Sequence, residues 1–287
     1  MSWEYHFLKH QLEIPCDPLL TLFESFCERA HDSMDSMEWS WKFQGGRALA
    51  NRVFWLGAPS RRESTSEHLR WLAGELALKP ADLPGGLQEW LSLVEHHTER
   101  ALVSYAGPSP EGDRSAAIKI YLTLDRIAVS NRLLQALIPK LACDLPLEAA
   151  TVLLCYAAYE CGAAASRIYL IYGQESFEDV ALCEWMRSVA GDQALELARS
   201  HVRAGLAFKN DTTNMLGLGF RPSGVEMADH PCWWNSAALV PLFCAAGSRP
   251  LLRARLRRVT WITLPLSREA LALPLTMPEM NVYVRLR

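Results

Sequence analysis

The chain has 287 residues, half of them apolar, and a net charge of −3 from interspersed acidic and basic residues. That is enough apolar material for a substantial core, and the charge balance offers no footing for nucleic acid or an anionic membrane, so any bound anion must be met by a local cluster. Eight cysteines stand singly without CxxC spacing, which reads as reduced, buried thiols of a cytoplasmic protein and not as a disulfide framework or zinc site.

In chain order, Asp17 followed by Pro18 opens a helix whose apolar stripe runs through Leu19, Leu20, Leu22, Phe23 and Phe26. "EWSWKF" (38–43) and "RALANRVFWLG" (47–57) read as a hairpin around a glycine-containing loop. Helical spacing returns at 66–78 and 86–97, strands at 100–107 and 116–124, and a helix at 127–141. A third round has strands at 150–160 and 165–173 and a helix at 176–190; a fourth has strands at 202–210 and 214–222 and a helix at 234–247. Strands at 255–266 and 281–287 close the series. No stretch approaches the eighteen or so apolar residues of a membrane helix, and the N-terminus shows no basic segment leading into an apolar run.

No linker or low-complexity tract interrupts the chain, so residues 1–287 read as a single domain. A strand pair and its helices recur at intervals of roughly fifty residues, the mark of an internal α+β repeat. About ten antiparallel strands in consecutive hairpins, with helices on one side, can close into a barrel ringed by helices, and closure removes the exposed edges. Alternation then sorts the side chains. In "AAIKIYLTL", Ile118, Ile120, Leu122 and Leu124 go to the helices, and Lys119, Tyr121 and Thr123 to the lumen. In "SRIYLIY", Ile168, Leu170 and Tyr172 go outward, and Arg167, Tyr169 and Ile171 inward; in "NVYVRLR", Val282, Val284 and Leu286 go outward, Tyr283 and Arg285 inward. The same alternation also fits an open sheet with one wet face.

Lysines, arginines and phenols converging inside a barrel suit a diphosphate, whose charge needs several cations and donors once water is excluded. Trp39 or Trp41, Trp55, Trp261 and Met215 are expected to supply walls for an isoprenoid chain, with π faces for an allylic cation.

These stretches resemble the ABBA-fold prenyltransferases, and within them the cyanobactin-type enzymes that alkylate side chains of ribosomal cyclic peptides. The resemblance is carried by "YHFLKHQLEIPCDPLLTLFESF", "MEWSWKFQGGRALANRVFWL", "SAAIKIYL", "SRIYLIY", "RAGLAFKNDTTNMLGLGF" and "NVYVRLR". It implies a ten-stranded antiparallel barrel with a solvent-filled lumen inside a ring of helices, a monomer, and transfer of an isoprenyl group to a peptide side chain. It implies that Arg52, Lys119, Tyr121, Arg167, Tyr169, Lys209, Tyr283 and Arg285 hold the prenyl diphosphate with Mg²⁺, and that Glu38 takes the acceptor's proton or orients its nucleophile. Trp261 matches a family tryptophan at the peptide-side rim, although a core indole between barrel and helix fits equally. The chain departs from the family where glycine replaces tyrosine in "MLGLGF", so Gly217 and Gly219 are expected to widen the prenyl pocket beside Met215. A bulky family phenylalanine falls at Val202, to within one residue, and a smaller wall there favours geranyl over dimethylallyl diphosphate.

Some patterns carry less. "NDTTN" (210–214) lacks the second carboxylate of an Asp-rich diphosphate motif and reads as a hairpin turn. "DSMDSME" (32–38) reads as an exposed loop, His96 and His97 as surface residues, and the segment around 57–67 as a loop. Two rival functions remain: a small-molecule aromatic prenyltransferase on the same barrel, and a non-catalytic barrel for a hydrophobic ligand.

Overall fold

The computed structural model describes residues 17–44, 47–58, 62–77, 98–108, 115–124, 152–161, 165–209, 212–219, 225–226, 258–266 and 280–285. Ten antiparallel strands form the barrel: β1 (Met34–Gln44), β2 (Arg47–Gly57), β3 (Thr98–Ala106), β4 (Ala117–Leu124), β5 (Val152–Glu160), β6 (Ala165–Gly173), β7 (Arg203–Lys209), β8 (Thr212–Gly219), β11 (Trp261–Pro265) and β12 (Met280–Arg285). Each pairs with its sequence neighbour, β8 passes to β11, and β1 bonds to both β2 and β12, which closes the ring. The short β9 (Val225–Glu226) and β10 (Arg258–Val259) form a separate two-stranded sheet.

Four α-helices are described: α1 (Pro18–Arg29), α2 (Arg62–Ala77), α3 (Val180–Ala190) and α4 (Asp192–Arg199). The expected start of α1 is met: Asp17 accepts from the amides of Leu19 and Leu20 at 2.8 and 3.0 Å, with Pro18 in the first turn. The Tyr105 hydroxyl also donates to Asp17, so the cap that starts α1 ties it to β3. The single helix expected at 176–190 is divided. A 3-10 turn occupies Gln174–Glu178, and extended Asp179 caps α3 through the Leu182 amide at 2.9 Å. Gly191, at φ 86°, then ends α3 and begins α4, a helix that the periodicity did not indicate. The helices expected at 86–97, 127–141 and 234–247 lie outside the described residues.

Strand alternation builds two separate apolar layers. Outward residues such as Val103, Ile120, Leu170, Leu206 and Leu218 share one continuous core with Leu20, Phe23, Phe26, Leu72 and Leu182 of the helices. Phe26 meets Trp55 edge-on at 5.0 Å between ring centroids, and Trp185 packs on Phe208 at 6.0 Å. Inside, Phe54, Leu56, Tyr121 and Ala158 form a second cluster with Leu102, Tyr169 and Tyr283. The expected phase of β4, β6 and β12 is therefore the observed one at Ile118, Ile120, Leu122, Ile168, Leu170, Tyr172 and Val282, while the side chains of Val284 and Arg285 lie outside the description. Trp55 corrects the expectation of a lumen tryptophan: it shares the phase of Val53 and is fully buried on the helix side.

Candidate functional site

The inner face divides into two levels. At one level, successive strands bring Ser40, Arg52, Ser104, Lys119, Glu160 and Arg167 onto the lumen side, through the pairs Ser40↔Arg52, Ser104↔Lys119 and Lys119↔Glu160 and the step from Ala158 to Arg167. Lys119 Nζ lies 2.5 Å from Glu160 Oε2, and Arg167 Nη2 lies 3.8 Å from the same oxygen. Arg52 Cζ stands 5.9 Å from the Phe54 ring centroid. Among the described residues of this arc there are three cations and one carboxylate, which pairs with Lys119 and Arg167 but not with Arg52. Four polar atoms here, Ser40 Oγ, Ser104 Oγ, Arg52 Nε and Arg167 Nε, are buried without a hydrogen-bond partner. Orphaned buried donors are costly and uncommon in proteins, and a set that converges beside a surplus of positive charge fits an anionic ligand.

The electrostatics follow from that surplus. Burial and the Arg52 charge push the Lys119 ammonium down to about 7 against the pull of Glu160. Burial works to raise the Glu160 carboxyl, but Lys119, Arg167 and Arg52 outweigh it and hold it below the usual range. Lys119 titrates lower in the folded chain than in the unfolded one, so the unfolded state binds more protons between about pH 7 and the ordinary lysine value. Its contribution to stability therefore rises with pH across that window and is least below it. Melting temperatures from pH 6.5 to 9.5 are expected to climb more steeply for the wild type than for Lys119→Met; equal slopes would remove Lys119 as the source.

The other level is an aromatic layer and a cavity. Tyr283, Phe54, Tyr121 and Tyr169 follow one another at centroid separations of 5.5, 5.9 and 5.9 Å. Burial raises the hydroxyls of Tyr169 and Tyr283, which therefore stay protonated donors at neutral pH. The cavity, about 430 Å³, is bounded by these rings and by Glu38, Tyr156, Arg203, Met215, Trp261 and Thr263, a size within the range of small-molecule sites. Arg100 also borders it, but its guanidinium is bound to Asp35 and to the Gly57 carbonyl, both at 2.6 Å.

Glu38, Arg52, Lys119, Tyr121, Arg167, Tyr169, Met215, Gly217, Gly219, Trp261 and Tyr283 thus all face the lumen. Glu38 is in the interior of β1, across from Phe54 on β2 and Arg285 on β12, not at a strand end. Lys209 ends β7 opposite Thr212; its side chain and that of Arg285 lie outside the described residues. Two expectations are corrected. Val202 is 40% exposed at the bend before β7, because the strand's inward phase begins at Arg203. Gly217 and Gly219 do not widen the lumen: the Trp261 indole lies over both, where a Cβ at either position would overlap it. A Gly217→Ala substitution is expected to displace that indole and cost about 1–3 kcal/mol in urea denaturation, whereas an unchanged midpoint would mean the ring moves aside freely.

Sequence reasoning missed Glu160, Ser40 and Ser104. Each could have been found by carrying the inward phase of Tyr121 and Tyr169 across the hairpin registers. Among the described residues no cluster of three or more His, Cys, Asp or Glu is arranged for a metal ion, and no helix is long and apolar enough to cross a membrane. No protein-family model matches the chain, and no curated protein matches it significantly.

Proposed function

We propose that the barrel is a prenyltransferase of the ABBA type, helices ringing its outside, and that it moves an isoprenyl group from its diphosphate to a side chain of a macrocyclic peptide. The observation that carries the reading is the arc of Arg52, Lys119 and Arg167, three cations to one described carboxylate, with orphaned donors on Ser40 beside Arg52 and on Ser104 between Arg52 and Lys119. A diphosphate bears the charge and the acceptor oxygens that such a set lacks. The chain of the donor lies along Tyr283, Phe54, Tyr121 and Tyr169 into the cavity, where ring faces stabilise positive charge as the carbon–oxygen bond to diphosphate breaks. Glu38, one strand-step from the Arg52 level, takes the proton of the acceptor.

The only described carboxylate in the cation arc is Glu160, a donor set that fits a Mg²⁺ held mainly by substrate phosphates better than a resident ion. A Mg²⁺ so held would neutralise diphosphate charge and make diphosphate a better leaving group. The Trp261 indole covers Gly217 and Gly219, so Trp261, and not Val202, is the wall to vary; with both grounds for a longer chain removed, geranyl and dimethylallyl diphosphate enter the test on equal terms.

The test is mass spectrometry of the protein with Mg²⁺, geranyl or dimethylallyl diphosphate, and cyclic peptides presenting Tyr, Trp, His, Arg and Ser. One prenyl mass added to a peptide is the expected result. Modification of small aromatic compounds alone would keep the reaction and move the acceptor class; no product and no donor binding would leave the reading of a non-catalytic, hydrophobic-ligand barrel.

A further inference from the structure

Resting on the prenyl-donor reading, we infer that Glu160 is a built-in competitor of the diphosphate: it occupies Lys119 and Arg167 while the barrel is empty and helps expel inorganic diphosphate after transfer. Glu160 is the last residue of β5, beside the turn into β6, with Lys119 as its neighbour on β4. Its side chain is 21% exposed, whereas the Lys119 side chain it meets at 2.5 Å is only 8% exposed. Of the two partners, the carboxylate thus stands at the more open edge of the pair.

Two requirements conflict at such a site. Three cations crowded onto one inner face, Lys119 buried among them, repel one another and forfeit hydration when they have no counter-charge, so the empty barrel needs an anion in place to assemble them. The product anion must also leave. Departure of the prenyl group leaves diphosphate with one more negative charge than it carried in the donor, and the same cations hold it more tightly than they held the substrate. A resident carboxylate meets both requirements, since it neutralises the cations beforehand and repels the anion that remains. Lys119 has three N–H donors, so the carboxylate and a phosphoryl oxygen can share it during exchange, and neither has to leave before the other arrives.

The inference is tested with inorganic diphosphate, by calorimetry with and without Mg²⁺, on wild type and Glu160→Gln, together with steady-state kinetics. One like charge a few ångströms away, at an effective dielectric of about 20, weakens an anion by at least roughly tenfold. Glu160→Gln is therefore expected to bind diphosphate at least about tenfold more tightly, with or without Mg²⁺, to lower KM for the donor and to lower kcat as release becomes limiting. Because removing one member of a buried pair can cost stability, Glu160→Asp provides a second reading. It keeps the charge but draws it back from Lys119 by one methylene, and its affinity is expected to fall between the other two.

Wild type that binds diphosphate while both variants bind it equally or more weakly would overturn the inference and leave the donor site standing. Weakening seen only with Mg²⁺ would overturn it in favour of a metal ligand. Wild type that binds no diphosphate under any condition would overturn the donor reading itself.

Discussion

Replacing Glu38 with Gln is expected to lower peptide turnover by about 10²–10⁴-fold, the contribution of a positioned general base, while geranyl diphosphate binds as before. Gln keeps the size and hydrogen-bonding shape of Glu and loses only the ability to take a proton. Glu38 borders the cavity, on the strand position facing Phe54, whereas Arg52 pairs with Ser40 two residues further along β1. In the proposed donor pose, with the phosphates at the Arg52 level, that offset would set the carboxylate nearer the reacting carbon than the phosphates. Single-turnover rates and donor titration on the same variant separate the two possibilities. Loss of donor affinity together with rate would place Glu38 in the diphosphate site and leave the base unassigned.

Arg52→Met is expected to weaken prenyl diphosphate by about 2–4 kcal/mol, or roughly 30- to 1,000-fold. Arg52 is the cleanest of the cations to remove. Lys119 and Arg167 both lie against Glu160, so deleting either disturbs a buried ion pair, whereas the structure gives Arg52 no ion pair among the described residues. Methionine keeps an unbranched apolar stem and removes the guanidinium that stands over the Phe54 ring. Arg52→Lys is expected to recover part of the loss, because an ammonium restores charge without the bidentate fork. Equal donor affinity in wild type and Arg52→Met, with the melting temperature unchanged, would remove Arg52 from the site.

The parts of the barrel legible in the sequence were those where alternation is regular and the hairpin is tight. In β4 and β6, Ile118, Ile120, Ile168 and Leu170 mark the helix side so evenly that Lys119, Tyr121, Arg167 and Tyr169 must share the opposite face, and closure of the barrel makes that face the inner one. Period-two reasoning fails wherever the phase is reset. The bend at 201–202 moves the inward position from Val202 to Arg203, and bulges between Ser40 and Trp41 and between Ala207 and Phe208 shift the register locally. Trp55 has the chemistry of an aromatic wall for a cation, yet it shares the phase of Val53 and lies among the helices. The glycines of β8 illustrate a different limit. A glycine shows where a side chain is missing but not which neighbour uses the space, and here Trp261 crosses from the adjacent strand to fill it. Glu160 was invisible for a related reason: nothing in "YECG" marks it until the β4–β5 register sets it opposite Lys119.

The central claim is that the inner cations exist to hold a diphosphate on an isoprenoid chain. Calorimetric titration of the wild-type protein with geranyl diphosphate, against geraniol and inorganic diphosphate as the two halves of that ligand, measures it directly. The account predicts saturable binding of geranyl diphosphate at one site per chain, competition by inorganic diphosphate, and much weaker binding of geraniol. Geraniol binding as tightly as its diphosphate, with inorganic diphosphate unable to compete, would contradict it and make the lumen a hydrophobic pocket whose buried charges serve only the fold.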